Sequence, residues 1–247
     1  MITHSKQESR IFGLPFGRIN LEENFNSWDE LKAQIAASGC KFIRVKVPNP
    51  NALVLDKLKS LTRKLHLLEI LRVYRSADLL VTPFQNEHGG LKFELVNESN
   101  INTLTDIIFE SYDDIPFGNY TPPEIMKIFP TDVQLKGIVE YFKENYTGHD
   151  PDKLAYIAYL PDGKPVGCSV SDYFDQGTYS YYVGVHHNER NKGIQYQIVN
   201  HIKFYTTARN KPYLCGATRL LNLYSARTME KTGCKCTGYD WVYLLEV

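Results

Sequence analysis

TYSYYVGVHHNERNKGIQYQI, residues Thr178–Ile198, is the stretch on which the reading of this chain turns. Its first part, Tyr179–Val185, is aromatic and β-branched and reads as a strand. A polar turn follows, and a helix opens near Gly193. Inside the turn lies Arg190-Asn191-Lys192-Gly193, basic and glycine-containing. Such a turn at a helix N-terminus presents several unpaired backbone N–H groups. Together with the positive end of the helix dipole, they suit phosphate oxygens.

Downstream, the helix runs to about Asn210, followed by a short strand at Tyr213–Thr218. A helix at about Asn222–Thr232 stops at Gly233, and a last strand covers Tyr239–Glu246. Upstream, Lys153–Leu160 and Lys164–Asp172 read as strands joined through Pro161-Asp162-Gly163, with a second glycine-bearing turn before Tyr179. Leu91–Val96 reads as a strand, and Asn100–Tyr112 and Thr131–Tyr146 as helices. Asp113–Pro130 is irregular, and its aromatics include Phe117 and Tyr120.

The first third holds a helix at Trp28–Ser38, with Ser27 and Glu30 in capping-box spacing. A strand at Phe42–Val47 stops at Pro48, a leucine stripe runs over Asn51–Leu65, and another strand covers Leu67–Tyr74. Met1–Asn26 shows no sustained period. Thr82–Gly90 is the best linker, so the expected domains are 1–88 and 89–247. Two successive hairpins among helices predict an α/β (α+β) fold with a mixed sheet and a smaller N-terminal α/β unit.

Of the 247 residues, 43% are hydrophobic and 23% charged, ordinary for a globular protein. Lys+Arg and Asp+Glu both number 28, which argues against a broad nucleic-acid-binding face. No apolar run is long enough for a membrane span, and Met1–Arg10 is too polar for a signal peptide. The five cysteines are odd in number and scattered, as expected of reduced thiols in the cytoplasm. Cys234 and Cys236 lack a second pair, so no metal site is expected.

Two segments carry a family likeness. Val183-x-Val185, then Arg190-x-x-Gly193-x-Gln195 entering a helix, resembles the cofactor motif of the GCN5-related N-acetyltransferases. Asn222-Leu-Tyr-Ser225-Ala226-Arg-Thr-Met229-Glu-Lys-Thr-Gly233 is similar to that superfamily's second signature. The likeness covers roughly Leu91–Val247 and implies a split sheet flanked by helices. The extra N-terminal unit, the aromatic last strand and the Phe117–Tyr120 segment resemble the nucleotide-sugar branch, the dTDP-fucosamine acetyltransferase type.

The resemblance implies acetyl-CoA or another acyl-CoA as donor. Backbone N–H groups of Arg190, Asn191, Lys192, Gly193, Ile194 and Gln195 would hold its pyrophosphate, with charge from Arg190 and Lys192. The strand edge at Tyr182, Val183 and Val185 would pair with the pantetheine, and the N–H of Val183 or Gly184 would polarise the thioester carbonyl. Asn222 would bond the pantetheine arm, with Ser225 and Ala226 giving room. The implied acceptor is a dTDP-linked amino sugar, its base stacked on Phe117 and Tyr120, and a homodimer is admitted. Other acceptors are a small amine or a peptide N-terminus, and a non-catalytic CoA-binding regulator is the competitor from another class.

The proton chemistry stays open. His186, His187, Glu189 and Asp172 are chemically able bases, the two histidines also being ordinary turn residues. Met229 stands where the family often carries the tyrosine that protonates the leaving thiolate, and methionine donates no proton. Tyr224, Tyr239, Lys231 or water would substitute, or Met229 widens the acyl pocket for a group larger than acetyl. Gln195 also departs from the motif, replacing a small residue. Phe117 and Tyr120 serve equally to bury a loop, Asn222 to cap a helix, and Cys168 and Cys215 to pack strands. Arg44, Lys46, Arg72 and Arg75 read as solvated strand faces.

Overall fold

The computed structural model describes residues 1–23, 25–76, 90–112, 125, 127 and 131–247. Its strands are β1 (Thr3–His4), β2 (Phe16–Asn20), β3 (Phe42–Pro48), β4 (Lys64–Ser76), β5 (Lys92–Leu95), β6 (Lys153–Tyr159), β7 (Pro165–Phe174), β8 (Gly177–Val185), β9 (Leu214–Arg219) and β10 (Lys235–Glu246). Its helices are α1 (Lys6–Phe12), α2 (Trp28–Ala37), α3 (Ala52–Ser60), α4 (Ile101–Tyr112), α5 (Thr131–Asn145), α6 (Ile194–Ala208) and α7 (Leu223–Lys231). The expected linker and the boundary at 88/89 lie almost wholly outside the described residues, as do Phe117 and Tyr120.

Among the described residues the strands form one mixed sheet in the order β1-β2-β3-β10-β4-β9-β8-β7-β6-β5. The last strand is the seam. β10 pairs antiparallel with β3 from Asp240↔Pro48 to Glu246↔Phe42, and with β4 along its whole length. The C-terminal strand is thus hydrogen-bonded between two strands of the N-terminal third. The continuous hydrophobic run Trp241–Leu245 of β10 suits that central place, because both strand edges are paired there and both faces are covered.

Side-chain alternation sorts the core onto two faces. On β7, Cys168 and Val170 share a cluster with Leu104 and Ile108 of α4 and Val139 and Phe142 of α5. Val166 is two residues from Cys168 yet points the other way, because the register against β6 slips between Ala158↔Gly167 and Tyr159↔Pro165; it packs into Ile194, Ile198, Val199 and Ile202 of α6 with Ala226 and Met229 of α7. On β3, Ile43, Val45 and Val47 pack under α2 and α3. Phe42 turns to the opposite face, where it meets Phe16, Val242 and Phe12 of α1. Arg10 of α1 pairs with Glu140 and Glu144 of α5, tying the helices of that face together.

The N-terminal 26 residues are more ordered than their pattern predicts. α1 spans only 7 residues, capped by Ser5, whose side chain accepts the Glu8 N–H, and stopped by Gly13 at φ 62°. Two turns of helix are too short to show a periodic stripe. The predicted Ser27 capping box at α2 is absent: Ser27 makes no side-chain cap bond, and its hydroxyl donates to Asn26. The leucine stripe from Asn51 ends as helix at Ser60, and Lys64 and Leu65 already belong to β4.

Candidate functional site

β8 and β9 are parallel neighbours joined through α6, and they pair only at Thr178↔Leu214, Tyr179↔Cys215 and Ser180↔Gly216. Beyond Ser180 the two strands part. β8 stays on β7 as far as Gly167↔Val185, and β9 stays on β4 as far as Arg219↔Leu71. The register of β8 against β7 shifts between Ser180 and Tyr182. A bulge adds local twist, which turns β8 away from β9 and opens a wedge.

The edge of β8 inside this wedge has a defined polarity. His186 N–H donates to Val166 O at 3.0 Å. Because an antiparallel ladder alternates, Tyr182 and Gly184 also face β7, and Val183 and Val185 turn their N–H and C=O groups into the wedge. Of the two amides expected at a thioester, the register leaves Val183 as the outward donor. Gly184 has a packing reason instead: a Cβ there would meet the Tyr182 ring at 2.8 Å and Ser111 Oγ at 3.0 Å. Tyr182 sends its ring into the α4–α5 core, with its hydroxyl on Ser111.

At the mouth of the wedge, a 3-10 turn (His187–Glu189) leads into α6. Asn191 and Gly193 both have positive φ, at 66° and 77°. The N–H groups of Asn191 through Tyr196 donate to no protein acceptor among the described residues. A Cβ at Gly193 would meet nothing within 4 Å, so this concave row of amides faces open space. The row sits on the positive end of a 15-residue helix.

The side-chain charges are placed differently from the expectation. Arg190 donates to Ser111 O at 3.0 Å, so it closes the C-terminal end of α4. Lys192 Nζ lies 2.8 Å from Glu189, which also receives Lys164 at 2.7 Å. Hydrogen bonds from Lys164 and Lys192 hold the Glu189 carboxyl down at about 2, which makes it a poor base. Of the groups expected at an anion site, the two basic side chains are already paired and the amides face open space.

The two sequence signatures meet in space. Gln195 Nε2 donates to Ser225 Oγ at 3.1 Å, joining the first turn of α6 to the first turn of α7. Asn222 caps α7, its side chain accepting the Ser225 N–H at 3.0 Å. The departure at Gln195 is therefore a strut between the signatures. Met229 is buried in the α6–α7 core, its methyl 3.5 Å from where a Cβ on Gly216 would lie, directly beneath the point where β8 and β9 part.

Tyr224 stands 73% exposed on the first turn of α7, and Lys231 is exposed at its end. Tyr239 is not brought to the wedge. It lies on β10, three strand spacings from β8, about 14 Å at the backbone. His186 contacts Glu110 through Nε2 and accepts the Asn188 N–H at Nδ1, so both ring nitrogens are engaged. Glu110, His186 and His187 offer ligand atoms within 4.8 Å of one another, the grouping best able to take a cation among the described residues.

Among the residues expected as bases is Asp172. It is buried on β7, and burial pushes its carboxyl above the ordinary 3.8, with hydrogen bonds from Tyr146 and Tyr181 and the charge of Lys153 opposing. Tyr146 donates to it at 2.6 Å. Tyr181 lies at the bulge and also lines a cavity of 510 Å³ on the α1 face of the sheet. Arg44 and Lys46, read from sequence as solvated faces, line the opposite end of the same cavity. No signal in the sequence couples residue 44 to residue 181, because only the sheet order brings them to one surface.

A mixed sheet with one splayed parallel pair, a crossover helix at its mouth and helices on both faces is the fold of the GCN5-related N-acetyltransferases. A GCN5-related N-acetyltransferase from Kribbella flavida shares it at 13% identity and a TM-score of 0.56, over 94% of this chain and 81% of that one. One from Sphaerobacter thermophilus matches at 12% identity and TM-score 0.56, over 83% of this chain and 59% of that one. A conserved Staphylococcus epidermidis protein of unknown function matches at 15% identity and TM-score 0.61, over 98% of this chain and 89% of that one. No protein-family model and no curated protein sequence matches the chain. No helix among the described residues is long and apolar enough to cross a membrane.

Proposed function

We propose that this protein is an acyl-CoA-dependent N-acyltransferase, with residues 89–247 carrying the donor site. The observation that supports this reading most is the row of amides from Asn191 to Tyr196, without a partner among the described residues, beside an open strand edge. Those amides suit a pyrophosphate. The outward groups of Val183 and Val185 suit the amides of a pantetheine arm laid along β8 as an extra strand. Acyl-CoA supplies the activated thioester.

The protein's own groups then have defined tasks. Val183 N–H polarises the thioester carbonyl. The neutral amine of the acceptor attacks that carbonyl carbon, a C–N bond forms and the C–S bond breaks. Tyr181 passes the amine's proton to Asp172 by taking it on oxygen while releasing its own. The leaving thiolate takes a proton from water, since Met229 has none to give. A thiol is acidic enough to leave in this way.

The finer reading of the acceptor is a dTDP-linked amino-deoxy sugar. Thiol release from acetyl-, 3-hydroxybutyryl- and longer acyl-CoAs with dTDP- and UDP-amino sugars tests it. Turnover only with unlinked amines removes the nucleotide-sugar reading, and a clear preference for acetyl removes the idea that Met229 widens the acyl pocket. A second reading is kept by the buried Met229: a CoA-binding protein without catalysis. Tight CoA binding with no thiol release for any amine would favour it.

A further inference from the structure

We propose that the 510 Å³ cavity on the α1 face is the acceptor site and selects an amine carrying an anionic group, phosphate or carboxylate. Arg44 and Arg18 of the N-terminal strands would hold that group. The proposal rests on the acyltransferase reading for the reaction, but the anion pocket is a physical claim about the cavity alone.

Three observations carry it. First, the cavity reaches the place where β8 and β9 part. Its lining includes Tyr179 and Cys215, the middle of the three pairs that join β8 and β9, and Tyr181, just beyond the last of them. Its volume falls in the range of about 300–1,000 Å³ typical of small-molecule sites. One end therefore presents the hydroxyl that bonds Asp172, on the face opposite α6 and α7.

Second, the far end has an excess of positive charge. Glu8 is buried and serves two guanidiniums at once, Arg18 Nε at 2.6 Å and Arg44 Nη1 at 3.2 Å. Burial alone would raise the Glu8 carboxyl, but Arg44 and Arg18 outweigh it and hold the group below 4.5, so it is ionised. One carboxylate between two guanidiniums leaves one positive charge over. Lys46 is matched by Asp240 at 3.1 Å, and Glu69 by Arg219 at 3.3 Å, so the excess belongs to the arginine pair.

Third, Arg44 has donors to spare. Its Nε is buried with no hydrogen-bond partner among the described residues. A guanidinium has five N–H donors in a planar fork, suited to two oxygens of one anion. β3 and β8 are four strand spacings apart, about 19 Å at the backbone. An acceptor touching both ends is longer than a simple amine, with its anion and its amine at opposite ends.

The test compares acceptors that share an amino-sugar core: glucosamine, glucosamine 6-phosphate and 2-amino-2-deoxyglucuronic acid, the last two carrying the anion at C6 across the ring from the C2 amine, each with acetyl-CoA, scored by thiol release. Calorimetric titration of glucosamine 6-phosphate without CoA reads the pocket alone, and CoA titration reads the donor site. We expect at least a tenfold higher kcat/KM for the charged acceptors than for glucosamine, the better of the two charged probes distinguishing phosphate from carboxylate. Arg18→Met and Arg44→Met should remove that preference and the calorimetric signal with CoA affinity unchanged, and Arg44→Lys should restore part of both. Equal use of glucosamine, or no binding of the phosphate by wild-type protein that binds CoA, overturns the proposal. Phosphate binding without CoA binding would instead overturn the acyltransferase reading and leave the pocket standing. If Arg44→Met melts early through loss of its bond to Glu8, the more exposed Arg18 carries the decision.

Discussion

Two strand–helix–strand units in this protein place parallel strands side by side, and they end differently. β2 and β3, joined through α2, pair from Phe16↔Phe42 to Asn20↔Lys46, the full length of β2. β8 and β9, joined through α6, pair for three residues and then part. In the first unit all five residues of β2 are paired with β3. In the second, Val183 and Val185 turn their edge groups into the wedge, and the amides of Asn191–Tyr196 at the mouth have no partner among the described residues. The same topology builds a wall in one place and an open cleft in the other. The bulge at Ser180–Tyr182 makes the difference, together with firm ladders that hold β8 on β7 and β9 on β4.

The sharpest way to break this comparison is at the amide row. Gly193→Asp with Arg190→Ala places a carboxylate in the anion site and strains a residue at φ 77°. CoA should bind about 100-fold more weakly, about 2.7 kcal/mol. Unchanged affinity by calorimetry would show that the splayed unit does not hold a pyrophosphate.

At the wall, Glu8→Gln should cost about 1–3 kcal/mol at neutral pH, because it removes a buried charge partner of two arginines. Glu8 sits below 4.5 in the folded protein, so its contribution is present above that value and fades as pH falls through its lowered value. Denaturant melts of the variant and wild type should therefore converge in acid. A gap that persists there would remove the ion pair as its source.

Glycine exchanges probe the two units directly. Gly184→Ala forces a methyl against the Tyr182 ring at 2.8 Å, which should cost about 1–3 kcal/mol. Gly17→Ala, on β2, meets Cys40 Sγ at 3.1 Å and Ile43 Cγ1 at 3.3 Å, tight but on side chains able to shift, and should cost less. The reverse order in thermal melts would mean that the β8 unit is the looser one. Asn222→Ala should remove the cap on α7 for about 1 kcal/mol. Smallest of all, Tyr239→Phe should leave turnover within about twofold, and a large loss would return β10 to the chemistry.

Much of the cleft was legible before any coordinate. The strand into Val185, the turn at Arg190–Gly193, the helix behind it and the second signature at Asn222 lie in one local order, and local patterns are what periodicity and turn chemistry read. The errors were of two kinds. Short elements such as α1 carry too few residues for a stripe. Side-chain destinations such as Arg190 on Ser111, Lys192 on Glu189 and Gln195 on Ser225 depend on partners 79, 3 and 30 residues away. Only the second of these is visible as a helix-like spacing.

By itself, then, the sequence determined the α+β class, most of the strands and helices, and the glycine-bearing turn that opens α6, because each follows from residues within a few positions of one another. Only the tertiary structure decided that β10 closes the N-terminal strands into the same sheet, that β8 leaves β9 after Ser180, and that Arg44 faces Tyr181 across one cavity. Those are contacts between distant parts of the chain. They are set by which strand edges find each other and how the bulge twists them, and no local pattern encodes either.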